Sequence, residues 1–288
     1  MPLWCAFDLD QTIGCFDAVY SYLVVFFPDM LQQVYRVPYY KGKGQPKLNI
    51  DSEKKGDLAQ SYSQFVRWMA YNEDKNKLLR PGIIAILDLL LRAKRKGLCG
   101  GIMIYSNNSN PYILKFASDL IRTMMGHRGL IFDPMVSWWH PLRNAEVRGF
   151  PGAELSYGPK TVATIQRAFA SASAAAAGAV PTSDILFFDD LIHSAIYNVI
   201  PAQNYFHVQP YHNTGNPVII HQCFLNALAS LGIDASAPWF SKFEEAGISI
   251  NDIGSFASSR TLRRGVNDST IILRRLEKLI AAAAAVAL

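Results

Sequence analysis

Two pairs of carboxylates in this chain each follow directly on an apolar run. "DLDQT" places Asp8 and Asp10 after Leu3 to Phe7, and "FFDD" places Asp189 and Asp190 after Ile185 to Phe188. If Leu3 to Phe7 form a strand, the period-two alternation of side chains points Asp8 and Asp10 the same way. Like charges gathered at the end of a buried strand repel one another, so such a cluster needs a cation, either a lysine or a metal ion held through oxygen. "IYSNNS" adds the hydroxyl of Ser106 and the amide of Asn107 after a further apolar run, "GPKT" adds Lys160, and Thr12 closes the first stretch. Taken singly, each is ordinary: a strand-end carboxylate pair caps a turn, Ser-Asn makes a turn, a lone lysine sits on the surface. Their appearance together, in this order and at predicted strand ends, sets them apart.

The elements that must position these residues alternate. Leu3–Phe7, 101–106, 184–190 and 205–209 read as strands, and "LIFDPMV" as a further one. Helices are expected over 15–36 with a break at Pro28, over about 58–71, from "RPG" at 80–82 onward, over 110–125, over 158–170 and over 217–231. Strands alternating with helices predict an α/β fold: a parallel sheet with helices on both faces, which binds ligands at the carboxyl ends of its strands. Residues 41–56 read as an exposed Lys/Gly-rich loop and 170–180 as a low-complexity Ala-rich segment. A core over 1–235, carrying an insertion at about 13–79 either over the site or beside it, is followed by a basic helical extension over 236–288.

Read together, "DLDQT", "IYSNNS", "GPKT" and "FFDD" resemble the signature of the haloacid dehalogenase (HAD) superfamily: DxDx(T/V), a Ser or Thr after an apolar strand, a Lys, then an acidic pair. The likeness spans roughly 3–210, and "RPGI", "IYSNNSNPYI" and "FFDDLIHSAI" bring it nearest to the magnesium-dependent and carboxy-terminal-domain phosphatases. The long first insertion, the Ala-rich segment and the C-terminal extension depart from that group. The resemblance implies a HAD-like Rossmannoid fold and a Mg²⁺-dependent phosphatase working through an aspartyl-phosphate. It makes Asp8 the nucleophile and Asp10 the acid and base. Ser106, the Asn107 backbone N–H and Lys160 would bind phosphate oxygens, with Thr12 fixing the loop beside them. Asp8, the backbone carbonyl of Asp10, Asp189 and Asp190 would hold the metal. The substrate class would be a phosphorylated small molecule or a phosphoprotein. The rival reading is a catalytically silent, HAD-derived interaction protein, with the basic C-terminal extension as its contact surface.

Composition bounds these readings. The 288 residues are 50% hydrophobic and 18% charged, enough for a sizeable core. A net charge of +5 suits an anionic substrate but is too mild to imply nucleic acid. The four cysteines form no CxxC pair and read as reduced, buried thiols of an intracellular protein, cytoplasmic or nuclear. The apolar runs at 18–27 and 279–288 fall short of the ~20 residues of a spanning helix, so no membrane association is expected. "GKGQPK" lacks phosphate-loop spacing, His207, His212, His221 and Cys223 are too irregular for zinc, and Trp138-Trp139-His140 reads as a packed loop. Lys94, Lys96 and Lys115 are the substitutes for Lys160 on placement.

Overall fold

Residues 2–27, 52–108, 110–138, 140–143, 160–172, 180–213, 215–233 and 262–287 are described by the computed structural model. Five strands form one wholly parallel sheet: β1 Leu3–Phe7, β2 Cys99–Tyr105, β3 Met135–Val136, β4 Ile185–Asp189 and β5 Tyr205–His207. Their order is β3-β2-β1-β4-β5, a Rossmann-like α/β arrangement. The chain builds outward from β1 to β3, then crosses back to lay β4 on the other side of β1. The topological switch point therefore lies between β1 and β4, whose carboxyl ends carry Asp8 and the Asp189/Asp190 pair.

Among the described residues the longer helices are α1 Tyr20–Phe26, α2 Ser52–Tyr71, α3 Ile83–Arg95, α4 Pro111–Met124, α5 Val162–Ala172, α6 Pro217–Ala229 and α7 Leu262–Ala287, with single turns at Glu73–Asn76 and Ser194–Tyr197. Strand alternation sorts them into two layers. Leu3, Cys5 and Phe7 face a large core shared with α1 to α4, α6 and α7, whereas Trp4 and Ala6 face a smaller one closed by α5. On the first face Phe7, Phe188 and Phe206 stack in a row across β1, β4 and β5, with ring centroids 4.1 and 4.3 Å apart. Each such buried ring is worth about 1.5–3 kcal/mol over an exposed one, so the row makes a stiff floor under the strand ends. Asp8 and Asp189 continue the alternation of Trp4–Ala6 and Ile185–Phe187 and so project toward the α5 side.

The described helices of the first insertion pack beside the sheet. The Tyr62 hydroxyl donates to Asp119 of α4 at 2.8 Å, and Phe65 lies against Phe116 of α4 and Phe224 of α6. The C-terminal helix docks on the core through buried Ile272 and Leu276. Its Arg275 guanidinium lies 4.3 Å over the Phe206 ring, and its Ser269 hydroxyl donates to the Pro81 carbonyl. Among the described residues no helix is long and apolar enough to cross a membrane.

Several boundaries differ from expectation. The third strand shrinks to Met135–Val136, because only Ile104 and Tyr105 of β2 pair with it. The helix after Lys160 begins at Val162, so Lys160 stands just ahead of it rather than within it. Within 15–36, helix is described from Tyr20 to Phe26; residues 52–56, read as the end of the Lys/Gly-rich loop, belong instead to the helix Ser52–Tyr71. Pro28 lies outside the described residues, as do the 41–51 part of that loop, the 173–179 part of the Ala-rich segment, Gly158-Pro159 and Trp139.

Candidate active site

β1 ends at Phe7, and the chain then turns rather than extending as a strand to Asp10. Gln11 adopts a left-handed φ of 61°, its N–H donates to the Gly14 carbonyl at 2.6 Å, and Asp10 bridges to Gly14. Gly14 is required there: a Cβ would come within 2.5 Å of the Leu78 carbonyl oxygen. Asp8 thus follows directly on the strand, whereas Asp10 lies in the turn, its charge still acting on Asp8.

Arg80 holds this turn from below. It is buried, and its Nε donates to the Thr12 carbonyl at 2.6 Å. Its Nη2 donates to the carbonyls of Gln11, at 2.6 Å, and Gln209. A guanidinium with fixed donor directions suits three converging carbonyls better than a lysine would. Thr12 then joins the two carboxylate regions. Its Oγ1 accepts from the Asp190 N–H at 3.0 Å and donates to Asp190 Oδ1 at 3.2 Å.

Lys160 is 1% exposed and stands between the strand ends, its Nζ 2.7 Å from Asp8 Oδ1 and 2.6 Å from Asp189 Oδ2. The rings of Tyr105 and Phe187 line its approach at 5.9 and 5.7 Å. Asp189 is fully engaged: Oδ1 accepts from the Leu191 N–H at 2.8 Å, and Oδ2 also lies 3.2 Å from His193 Nε2. Among the described residues, Asp8, Asp189 and Asp190 are a group that can each offer one carboxylate oxygen, the three lying within 4.8 Å of one another. Three hard oxygen donors at that spacing fit Mg²⁺, which asks for few protein ligands and keeps several waters.

Ser106 follows β2, and its own N–H is tied to β3 through the Val136 carbonyl at 2.9 Å. Its Oγ accepts from the Asn108 N–H at 3.0 Å. Asn107 presents a buried Oδ1 with no hydrogen-bond partner. Asp10 is gripped by Asn108, whose Nδ2 donates to Asp10 Oδ2 at 2.9 Å. The buried Arg143 donates to the Ser106 carbonyl at 3.0 Å and stacks between the rings of Tyr105 and Trp138, which makes the Trp138 region a packed loop.

These contacts set the acidities. Burial pushes Asp8 up to about 7; Lys160 opposes this, while Asp189 and Asp10 add to it. Burial lifts Asp10 to about 6 against the pull of the Asn108 hydrogen bond. Burial also favours neutral Asp189, but His193 and Lys160 outweigh it and hold that carboxyl below its ordinary value. Asp190 is raised by burial and by its neighbour Asp189. Burial alone would neutralise Lys160, yet Asp8 and Asp189 hold its ammonium above the usual lysine range.

Asp8, Asp10, Ser106, Asn107, Lys160, Asp189 and Asp190 thus gather at the switch point, and Lys160 rather than Lys94, Lys96 or Lys115 is the lysine in it. Thr12 is at the site with its hydroxyl turned to Asp190. The carboxylate of Asp10 stands apart from the three-carboxylate group. Asn108, Arg80, Arg143 and His193 were given no role in the reading of the sequence, although Asn108 stands in "SNNS", Arg80 in "RPGI" and His193 in "FFDDLIHSAI". His207 lies against the Asp190 carbonyl at 3.0 Å, His221 against Tyr22 at 3.4 Å and Cys223 against Asn72 at 3.7 Å, each in a separate contact. No protein-family model, no curated protein and no solved structure matches this chain.

Proposed function

We propose that this protein is a Mg²⁺-dependent phosphomonoester hydrolase that works through an aspartyl-phosphate on Asp8, as its motif resemblance to the HAD phosphatases implies. The observation that carries the reading is the convergence of Asp8, Lys160, Asp189 and Asp190 at the switch point, with Asp10 and Ser106 brought alongside by neighbouring loops. Four carboxylates face one lysine, an excess of negative charge that a divalent cation would offset. Asp8, Asp189 and Asp190 would hold Mg²⁺, which when bound would neutralise phosphoryl oxygens and favour the ionised form of Asp8.

Asp8 attacks phosphorus as the ester bond breaks, and Asp10 donates its proton to the departing oxygen. An acid near pH 6 is suited to that donation. The resulting carboxylate of Asp10 then takes a proton from water, whose oxygen attacks the aspartyl-phosphate, releases inorganic phosphate and regenerates Asp8. Lys160 and the Ser106 hydroxyl bind the equatorial oxygens through both steps. The substrate is a phosphorylated small molecule or phosphoprotein, and four buried free thiols support a cytoplasmic or nuclear setting.

The test is hydrolysis of a panel of aryl and alkyl phosphates with and without Mg²⁺. Turnover should require the metal and fall by about 10³-fold or more in Asp8→Asn. A wild-type protein inert toward the whole panel with Mg²⁺ present would refute the reading.

A further inference from the structure

Asp10 belongs to a turn, and the backbone alone does not aim its carboxylate. What reaches it is Asn108, from the loop on the far side of β1's neighbour β2. Every polar group of Asn108 is used. The side-chain Nδ2 donates to Asp10 Oδ2 at 2.9 Å, and Oδ1 accepts from the Asn110 N–H at 2.8 Å. The backbone N–H donates to Ser106 Oγ at 3.0 Å, and the carbonyl accepts from the Trp138 N–H at 3.0 Å. Asn110 in turn caps α4, its Oδ1 accepting from the Tyr112 N–H at 2.9 Å ahead of Pro111. The orientation of Asp10 is thereby referred to a helix start and to the β2–β3 side of the sheet, not to its own loop.

We infer that Asn108 is a positioning residue for the proton transfer made by Asp10, and that it sets the register between the acid and the phosphate-binding Ser106. The same side chain fixes Asp10 and shares its loop with Ser106, so the leaving oxygen and the phosphoryl oxygens are located by one unit. This rests on the phosphatase reading above. Its consequence is specific to the leaving group. An alkoxide leaves poorly unless protonated, so hydrolysis of an alkyl phosphate depends on where Asp10 points. A dinitrophenolate leaves without a proton, so its ester does not.

Asn108→Ser is the discriminating change. Serine is too short to reach Asp10, yet its hydroxyl can still accept from the residue two positions on and preserve the turn. Asn108→Asp, which keeps the acceptor for Asn110 and replaces the donor by a carboxylate, gives a second variant with an intact turn. With Mg²⁺, both variants should lose about 10- to 100-fold in kcat/KM toward an alkyl phosphate. Toward 2,4-dinitrophenyl phosphate the loss should stay within about threefold. Circular dichroism melts of both variants report whether the fold is retained. An equal loss on both esters, or no loss on either, by folded variants of an active wild type would overturn the role of Asn108 and leave the phosphatase reading standing. A wild type inert on both esters would overturn that reading and this role with it.

Discussion

The ends of β1 and β4 each carry two carboxylates, but the two pairs are built differently. At β4 both acids are tied down. Asp189 is engaged by the Leu191 N–H, Lys160 and His193, and Asp190 by Thr12, with the His207 ring on its carbonyl. At β1, Asp8 has Lys160 as its ionic contact, and Asp10 has a single side-chain donor, Asn108. Acidity follows this division in part: Asp189 is held below its ordinary value, burial and Asp189 raise its neighbour Asp190, and Asp8 and Asp10 rise to about 7 and about 6. The anchored Asp189 holds its charge in place; the loosely partnered Asp8 and Asp10, near neutrality, can attack, donate and accept. The spacing in sequence, one residue apart in "DLD" and adjacent in "DD", does not by itself distinguish them.

Lys160 belongs to both ends, so removing it should have the largest effect on this contrast. Lys160→Met keeps the volume but leaves Asp8 and Asp189 buried beside each other. The expected loss is about 3–5 kcal/mol in chemical denaturation at pH 8. It should shrink at pH 5, where Asp8 and Asp10 can protonate, and an unchanged midpoint at both pH values would break the comparison. Thr12→Val loosens the anchored end alone, with an expected cost of about 1–2 kcal/mol and weaker Mg²⁺ stabilisation in a thermal melt. Equal Mg²⁺ shifts in Thr12→Val and wild type would show that Asp190 needs no latch.

A further test is the dependence on pH. Folded Asp8 holds its proton more tightly than the unfolded chain, where the ordinary value is 3.8. Its contribution to metal-free stability is therefore full below about pH 4 and is lost as pH rises through about 7; that of Asp10 is lost by about 6. Glu73, lifted by burial to about 7 in another part of the fold, adds a term of the same sign. Asp8→Asn removes one of these groups, so the melting temperature of metal-free wild type should fall more steeply than that of the variant between pH 4 and 7. Parallel curves would mean that Asp8 does not titrate in that range.

Much of this arrangement was legible in the chain. Apolar runs ending in carboxylates located β1 and β4, and the alternation of strands and helices pointed to a parallel sheet. The place of Lys160 ahead of "FFDD" singled out the lysine that the fold sets between Asp8 and Asp189, because the segment before β4 runs up to the strand beside β1. What could not be read was the tertiary wiring. Arg80 touches residues 11, 12 and 209, and Asn108 reaches residue 10; neither contact has a periodic signature. The strand that carries Asp8 ends at Phe7, and the turn marked by a left-handed Gln11 and the close approach of Gly14 to Leu78 had no periodic signature either.

The most direct measurement is chemical trapping during turnover. The protein is mixed with Mg²⁺ and a phosphoester, quenched, treated with hydroxylamine and mapped by peptide mass spectrometry. An acyl phosphate would be converted to a hydroxamate. The expected result is a hydroxamate on Asp8, present with both Mg²⁺ and substrate and missing when either is left out. Turnover with Asp8 unmodified, or a hydroxamate on Asp10 or Asp189 in its place, would contradict the assignment of the nucleophile to the end of β1.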